Sequence, residues 1–316
     1  MKETVFVAYD TVCSIRIEET ENKESGLILK EAKKLAKQVQ NTLNMYDPIS
    51  ELSRLCLSYI PGKKITVSKM LWEFIKVNLE FSYRTEGVFD FTVGPLMKLW
   101  DFTAEHPKPP PEYKLERALD RVGFQKVHTD SAAPEVTFDV PGMVLDPGAS
   151  GKGYALRLAA DWLKERGVNR AVLDFGGNLF AIGGKKGLGG EERPWKAAIR
   201  SPQRDAVLGT VELCNRGIAT SSWYEHGFEK NGTVYHHLLD VKTGKPRNTD
   251  ISSVSVLSSN ALYTDLMSTV FFVMGVKKGC ALAEKIEEET GVDLDYVILK
   301  TDGELIASKN ACFRES

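Results

Sequence analysis

Three separated groups of residues have the types and spacing that chemistry needs. In Leu262-Tyr263-Thr264-Asp265-Leu266-Met267-Ser268-Thr269, Asp265 and Thr269 stand four apart, one turn of a helix, on a single face. A carboxylate and a hydroxyl are hard oxygen ligands and suit Mg²⁺, which takes few protein ligands and keeps places for water and phosphate. The same Asp265 would also serve as a solvated helix residue or a dipole partner in an early turn. Thr269 sits in an apolar run with Val270, Phe271, Phe272 and Val273, where a buried hydroxyl needs a partner.

The second group is Pro147-Gly148-Ala149-Ser150-Gly151-Lys152-Gly153, which follows the apolar Val144-Leu145 and the carboxylate of Asp146. Its glycines let backbone N–H groups approach an anion at a helix entrance, and Lys152 adds a full charge. The spacing fails both the Walker loop and the dinucleotide fingerprint. An ordinary strand–helix turn would use the same residues. The third group, Tyr235-His236-His237-Leu238-Leu239-Asp240, puts two histidines on a strand, where neighbours face opposite ways. A neutral imidazole beside a phosphate would be a general base. An edge-strand histidine without chemistry has the same signature.

The elements that must position these groups follow from periodicity. Apolar residues at helical spacing predict helices at 26–43, 68–85, 96–100, 113–122, 154–166, 261–274 and 277–290, with Ser68 and Asn260 as N-caps. Strands are expected at 4–17, 136–138, 143–145, 171–175, 195–200, 206–213, 218–221, 235–239 and 251–257, and a closing hairpin at 296–307 turns at Asp302-Gly303. The proline-rich stretch 103–112 and the glycine-rich stretch 183–193 read as surface insertions in a single domain spanning 1–316.

The bulk numbers exclude several functions. A formal net charge of −2 argues against a nucleic-acid groove or a polybasic membrane surface. No apolar run reaches the roughly 18 residues that a membrane span requires. The five cysteines are odd in number, far apart and never C-x-x-C. They are expected to be buried small apolar residues in a reducing cytoplasm, neither disulfides nor a zinc site. No signal-peptide pattern opens the chain, so a cytoplasmic location without a membrane anchor is expected.

Taken in order, the three groups resemble the ApbE family, the FAD:protein FMN transferases. The likeness spans nearly the whole chain. It is carried by 46–54 (YDPISELSR), 89–100 (FDFTVGPLMKLW), Asp146 to Tyr154, Gly176-Gly177, Thr220-Ser221, His237 to Gly244 and Asp265 to Thr269. The resemblance implies an α+β fold of T-fold-like architecture, with antiparallel sheets and packed helices. It also implies FAD as substrate, held by Tyr46, Val88, Phe89, Asp90, Asp146, Lys152 and Leu239. Mg²⁺ is expected on Asp265 and Thr269, helped by oxygens from Ser268 and from the turn Ala149 to Gly151, with His237 as the catalytic base.

The implied reaction moves FMN from FAD to a threonine hydroxyl of an acceptor protein and releases AMP. FAD hydrolysis to FMN and AMP uses the same parts, and a non-catalytic FAD carrier is a third reading. The chain departs from the family pattern at four places, one being the usual Gly-Gly-Ile-Ala-Lys-Gly turn, here Gly148-Ala149-Ser150-Gly151-Lys152-Gly153, which keeps small residues and the lysine. Tyr9-Asp10-Thr11 replaces a Met-Gly-Thr near the flavin, so Tyr9 is expected to touch the ring. Asn178 replaces an aspartate after the double glycine, and Val241 a proline.

Overall fold

The structure, a computed structural model, describes residues 1–18, 24–187, 189–201, 206–223, 227–230 and 232–316. Its helices among the described residues are, in chain order, α1 Ser25–Leu43, α2 Glu51–Ser58, α3 Lys69–Arg84, α4 Gly94–Trp100, α5 Glu112–Leu119, α6 Gly151–Glu165, α7 Ala261–Met274 and α8 Val276–Thr290. The chain divides into two units. One comprises Met1–Gln40, Ser150–Ser222 and Asp250–Ser316, the other Asn41–Ala149 and Trp223–Thr249.

The first unit is built on an eight-stranded antiparallel sheet. Its order is Lys2–Ala8, Thr11–Ile17, Ala171–Phe175, Asn178–Ile182, Gly217–Ser222, Ile251–Ser258, Asp295–Lys300 and Leu305–Ala307. Alternation explains the N-terminal hairpin: Phe6, Ala8, Cys13, Ile15 and Ile17 are buried, while Val5, Val7 and Val12 on the other face are exposed. Tyr9 and Asp10 close that hairpin with positive φ (53° and 55°), the backbone that a tight hairpin turn demands.

Farther along the sheet, the face that those valines share is covered. Ala181, Ile218, Leu257 and Val297 form one apolar cluster with Ala197, Ile199, Val211 and Leu213 of a small sheet made of Trp195–Arg200, Val207–Leu213 and Arg314–Glu315. Helix α7 is apolar on nearly every side because it packs against α6, α8 and the strands Gly217–Ser222 and Ile251–Ser258. Burying one of its phenylalanines, such as Phe271, contributes about 2–3 kcal/mol. Asn260 caps α7 by accepting from Leu262 N–H at 3.1 Å, and Gly275 ends it at φ 79°.

The second unit holds α2 to α5, a three-stranded sheet (Ile65–Thr66, Glu135–Phe138, Val127–Thr129) and two small hairpins. Ser50 and Ser68 cap α2 and α3 by accepting from Ser53 and Leu71 N–H at 3.0 and 3.2 Å. The core of its α4–α5 side is Leu96, Trp100, Leu115, Ala118, Val122 and Leu239. Trp100 Nε1 donates to the Gly244 carbonyl at 2.7 Å. That fastens the hairpin Leu239–Asp240/Lys245–Pro246 to α4.

The α+β class with antiparallel sheets agrees with expectation. Several local expectations do not. The segment 143–145 makes only an isolated parallel bridge, Val93 to Val144, because no neighbouring strand extends it. The strand expected over 235–239 stops at His236, so period-two alternation does not reach His237 to Asp240. The 183–193 stretch contains a short pair, Lys185–Lys186 with Glu192–Arg193, and Leu188 lies outside the described residues. All five cysteines are free, but Cys214 and Cys312 are exposed rather than buried.

Candidate functional site

In the first unit the Asp265 side chain is 6% exposed and both of its oxygens are engaged. Gly153 N–H donates to Oδ2 at 2.8 Å, and the Asn178 amide donates to Oδ1 at 2.9 Å. Burial pushes the Asp265 carboxyl up. The Lys152 charge and the two donors pull it back down. Lys152 is half-buried in the first turn of α6 and Gly151 is buried beside it, so a cation and the N-terminus of a 15-residue helix bear on one carboxylate.

Gly153 has to be glycine. A Cβ there would lie 2.6 Å from Asp265 Cβ and 2.7 Å from the Ala261 carbonyl, so α6 and α7 cross at this point without room for a methyl group. Ser268 Oγ donates to the Asp265 carbonyl at 2.9 Å and lies 2.8 Å from Ser221 Oγ, so its hydroxyl is held within the protein. Thr269 is half-buried, one turn beyond Asp265. Ser150 Oγ, which begins α6, is buried with no hydrogen-bond partner among the described residues.

The donor chemistry discriminates among cations. Among the described residues no three His, Cys, Asp or Glu side chains cluster as a metal-binding group. One carboxylate with hydroxyl oxygens, each carboxylate oxygen retaining a free lone pair, fits a small hard cation that keeps most of its water. The orphaned Ser150 hydroxyl is a further oxygen awaiting a partner at the same helix entrance.

Tyr9, at the first unit's N-terminal turn, stacks on Phe175 (centroids 5.8 Å apart), and its hydroxyl donates to the Ala36 carbonyl at 2.6 Å. Burial raises its pKa, so it stays a neutral phenol. The thiols of Cys13 and Cys56 are each pushed up to about 11 by burial and supply no thiolate at neutral pH.

In the second unit the Val88-Phe89-Asp90 segment is held from both ends. Glu86 and Gly87 turn the chain with positive φ (51° and 77°), Phe89 packs edge-on against Phe81, and Asp90 accepts from Thr92 N–H, Thr92 Oγ1 and Phe124 N–H at 2.6–2.9 Å. Burial nonetheless raises the Asp90 carboxyl. Asp146 is tied to the same segment by its N–H on the Phe91 carbonyl at 2.7 Å, and its Oδ1 accepts from Gly148 N–H.

Tyr46 is 68% exposed and lines an open pocket of about 140 Å³ with Met45, Leu52, Cys56, Lys98 and Val144. His236 is buried, which lowers its pKa, with the Asn248 side chain acting in the opposite direction. His237 is half-buried in the bend after the strand, and Leu239 belongs to the Trp100 core. Ala149 is the last residue of this unit before the chain passes to Ser150.

The structure thus brings Lys152, Gly151, Asp265 and Ser268 together in one unit, and it ties the 88–90 segment to Asp146 in the other. Sequence reasoning names Asn178 only as a departure after the double glycine, and Ser150 and Ser221 only within family-like stretches, and gives none of the three side chains a role. The signal for Asn178 was an amide directly after a two-glycine turn, at the head of a strand whose other positions are apolar.

Residues 9–293 match the ApbE family. The chain belongs to that family. A Treponema pallidum (strain Nichols) protein named FAD:protein FMN transferase is 31% identical over 91% of this chain and 82% of its own length. A Klebsiella pneumoniae (strain 342) protein of the same name is 28% identical over 87% and 84%. Among solved structures, the ApbE protein of Thermotoga maritima superposes with a TM-score of 0.84 at 27% identity, covering 99% of both chains. The apo flavinyl transferase ApbE of Pseudomonas stutzeri gives 0.83 at 25%, covering 98% of this chain and 95% of its own. ApbE membership accounts for the order of the motifs. Among the described residues no helix is long and apolar enough to cross a membrane.

Proposed function

We propose that this chain is a Mg²⁺-dependent FAD:protein FMN transferase, one domain over 1–316, that modifies a threonine of an acceptor protein. Family membership and the names of its relatives support the transferase reading. The observation that carries the metal-dependent form is the Asp265 carboxylate, buried yet oriented by two neutral donors and faced by the Lys152 charge.

In this reading the acceptor threonine Oγ forms a bond to the phosphorus on the FMN side of the pyrophosphate. The bond from that phosphorus to the bridging oxygen breaks, and AMP leaves with the oxygen. His237 accepts the threonine proton at a ring nitrogen, a role usually worth ~10²–10⁴ in rate. Lys152 and the N-terminal N–H groups of α6 offset the negative charge of the phosphates. Tyr9, Tyr46, Val88, Phe89, Asp90, Asp146 and Leu239 hold FAD, so that positioning supplies much of the acceleration.

Asp265 and Thr269, with oxygens from Ala149, Gly151 and Ser268, hold the cation, which when bound neutralises developing charge on the phosphoryl oxygens. Five free cysteines support a reducing, cytoplasmic setting. The test is incubation with FAD, Mg²⁺ and candidate acceptors, read by mass spectrometry for an FMN adduct on threonine. An EDTA-sensitive adduct is expected. AMP released at the same rate without acceptor, and no adduct, would establish a pyrophosphatase instead. FAD retained intact would establish a carrier.

A further inference from the structure

Asn178 opens its strand directly after Gly176 and Gly177, whose positive φ values (67° and 92°) make the two-residue turn from Phe175. That backbone is fixed further because a Cβ at Gly176 would collide with the Thr11 side chain. The Asn178 side chain is 4% exposed, and its Nδ2 lies 2.9 Å from Asp265 Oδ1. A carboxylate only accepts, so it is the amide N–H₂ end that faces it. With Gly153 N–H on Oδ2, each carboxylate oxygen has one neutral donor and retains a free lone pair.

We propose that Asn178 is a positioning residue that locks the Asp265 carboxylate for its cation. This rests on the reading of Asp265 as a cation ligand. Two donors on two oxygens prevent the carboxylate from turning about its Cβ–Cγ bond, so the ligand geometry is set before the ion arrives.

The experiment measures Mn²⁺ binding to the FAD-free full chain from the free-ion electron paramagnetic resonance signal, with Mg²⁺ and Ca²⁺ as competitors. Asp265→Asn comes first and is expected to abolish binding. Wild-type affinity in that variant would sink the cation reading itself. With binding lost there, Asn178→Ala is expected to weaken Mn²⁺ by about 10–100-fold, the usual effect of losing a residue that orients a ligand. A residue that only supports the fold would shift the cation-free urea midpoint and leave the Mn²⁺ affinity alone. Mn²⁺ affinity in Asn178→Ala within about twofold of wild type overturns the proposal.

Discussion

Gly153 and Asp265 meet where α6 crosses α7, the glycine N–H donating to the carboxylate at 2.8 Å with no space for a side chain between the helices. Gly153→Ala would force its methyl into the Ala261 carbonyl and the Leu262 Cα, at 2.7 and 3.0 Å, both of them backbone atoms that yield little. Overpacking of this kind costs about 1–3 kcal/mol. Urea unfolding of Gly153→Ala is expected to show that loss, together with weaker Mn²⁺ binding. An unchanged midpoint would mean that the helices move apart at no cost.

The two adjacent histidines should separate cleanly. His237→Ala is expected to lower the rate of FMN transfer by ~10²–10⁴ while FAD affinity stays within severalfold. His236 is buried, so His236→Ala is expected to act mainly on the fold, at about 1–3 kcal/mol. Single-turnover transfer and chemical unfolding of both variants make the comparison. Equal losses of transfer with no change in stability would contradict the assignment.

Asp146 provides a pH test. Burial raises its carboxyl pKa, opposed by the Gly148 N–H and the Lys98 charge. The folded protein therefore holds this proton more tightly than the unfolded chain, whose carboxyl titrates near 3.9. Stability from the group is fully present below about 3.9 and is lost as pH rises through the folded value. Asp146→Asn keeps an acceptor for Gly148 and removes the buried charge. It is expected to melt above wild type at pH 7.5, with the advantage shrinking toward pH 4. A variant that melts lower at pH 7.5 would show that the carboxylate's hydrogen bonds outweigh its desolvation.

Trp100 holds the hairpin that follows His237. Trp100→Phe keeps most of the ring contact and loses the 2.7 Å bond to the Gly244 carbonyl. About 1–2 kcal/mol of stability should go with it, since a buried carbonyl is left without its donor. Transfer should fall with FAD affinity, because Leu239 shares that core. Unaltered FAD binding at reduced stability would separate the hairpin from the substrate.

Much of this was legible because the signals were local. Ser68 and Asn260 announce their helices by cap chemistry, and α7 begins and ends where its asparagine and glycine predict. Asp265 stands out by its one-turn spacing to Thr269, and Lys152 by its place in a glycine-rich turn at a helix entrance. What the chain did not announce depends on partners distant in sequence. Asn178 looks like a turn residue until Asp265, 87 positions later, is seen to need its amide. The strand expected through His237 obeys alternation on paper. It breaks because the Trp100 anchor and the 239–246 hairpin set a different path after His236.

The sheet's first strand also bears on solubility, through its exposed valines. Among the described residues Lys2–Ala8 pairs on one side only, and Val5 and Val7, with Val12 of the next strand, are exposed. Such a rim is a template for accretion of further strands. What guards it is charge at the strand's beginning, where Lys2 is exposed and Glu3 pairs with Arg16 at 3.0 Å. Neutralising those residues is expected to raise the turbidity of concentrated preparations, read by light scattering.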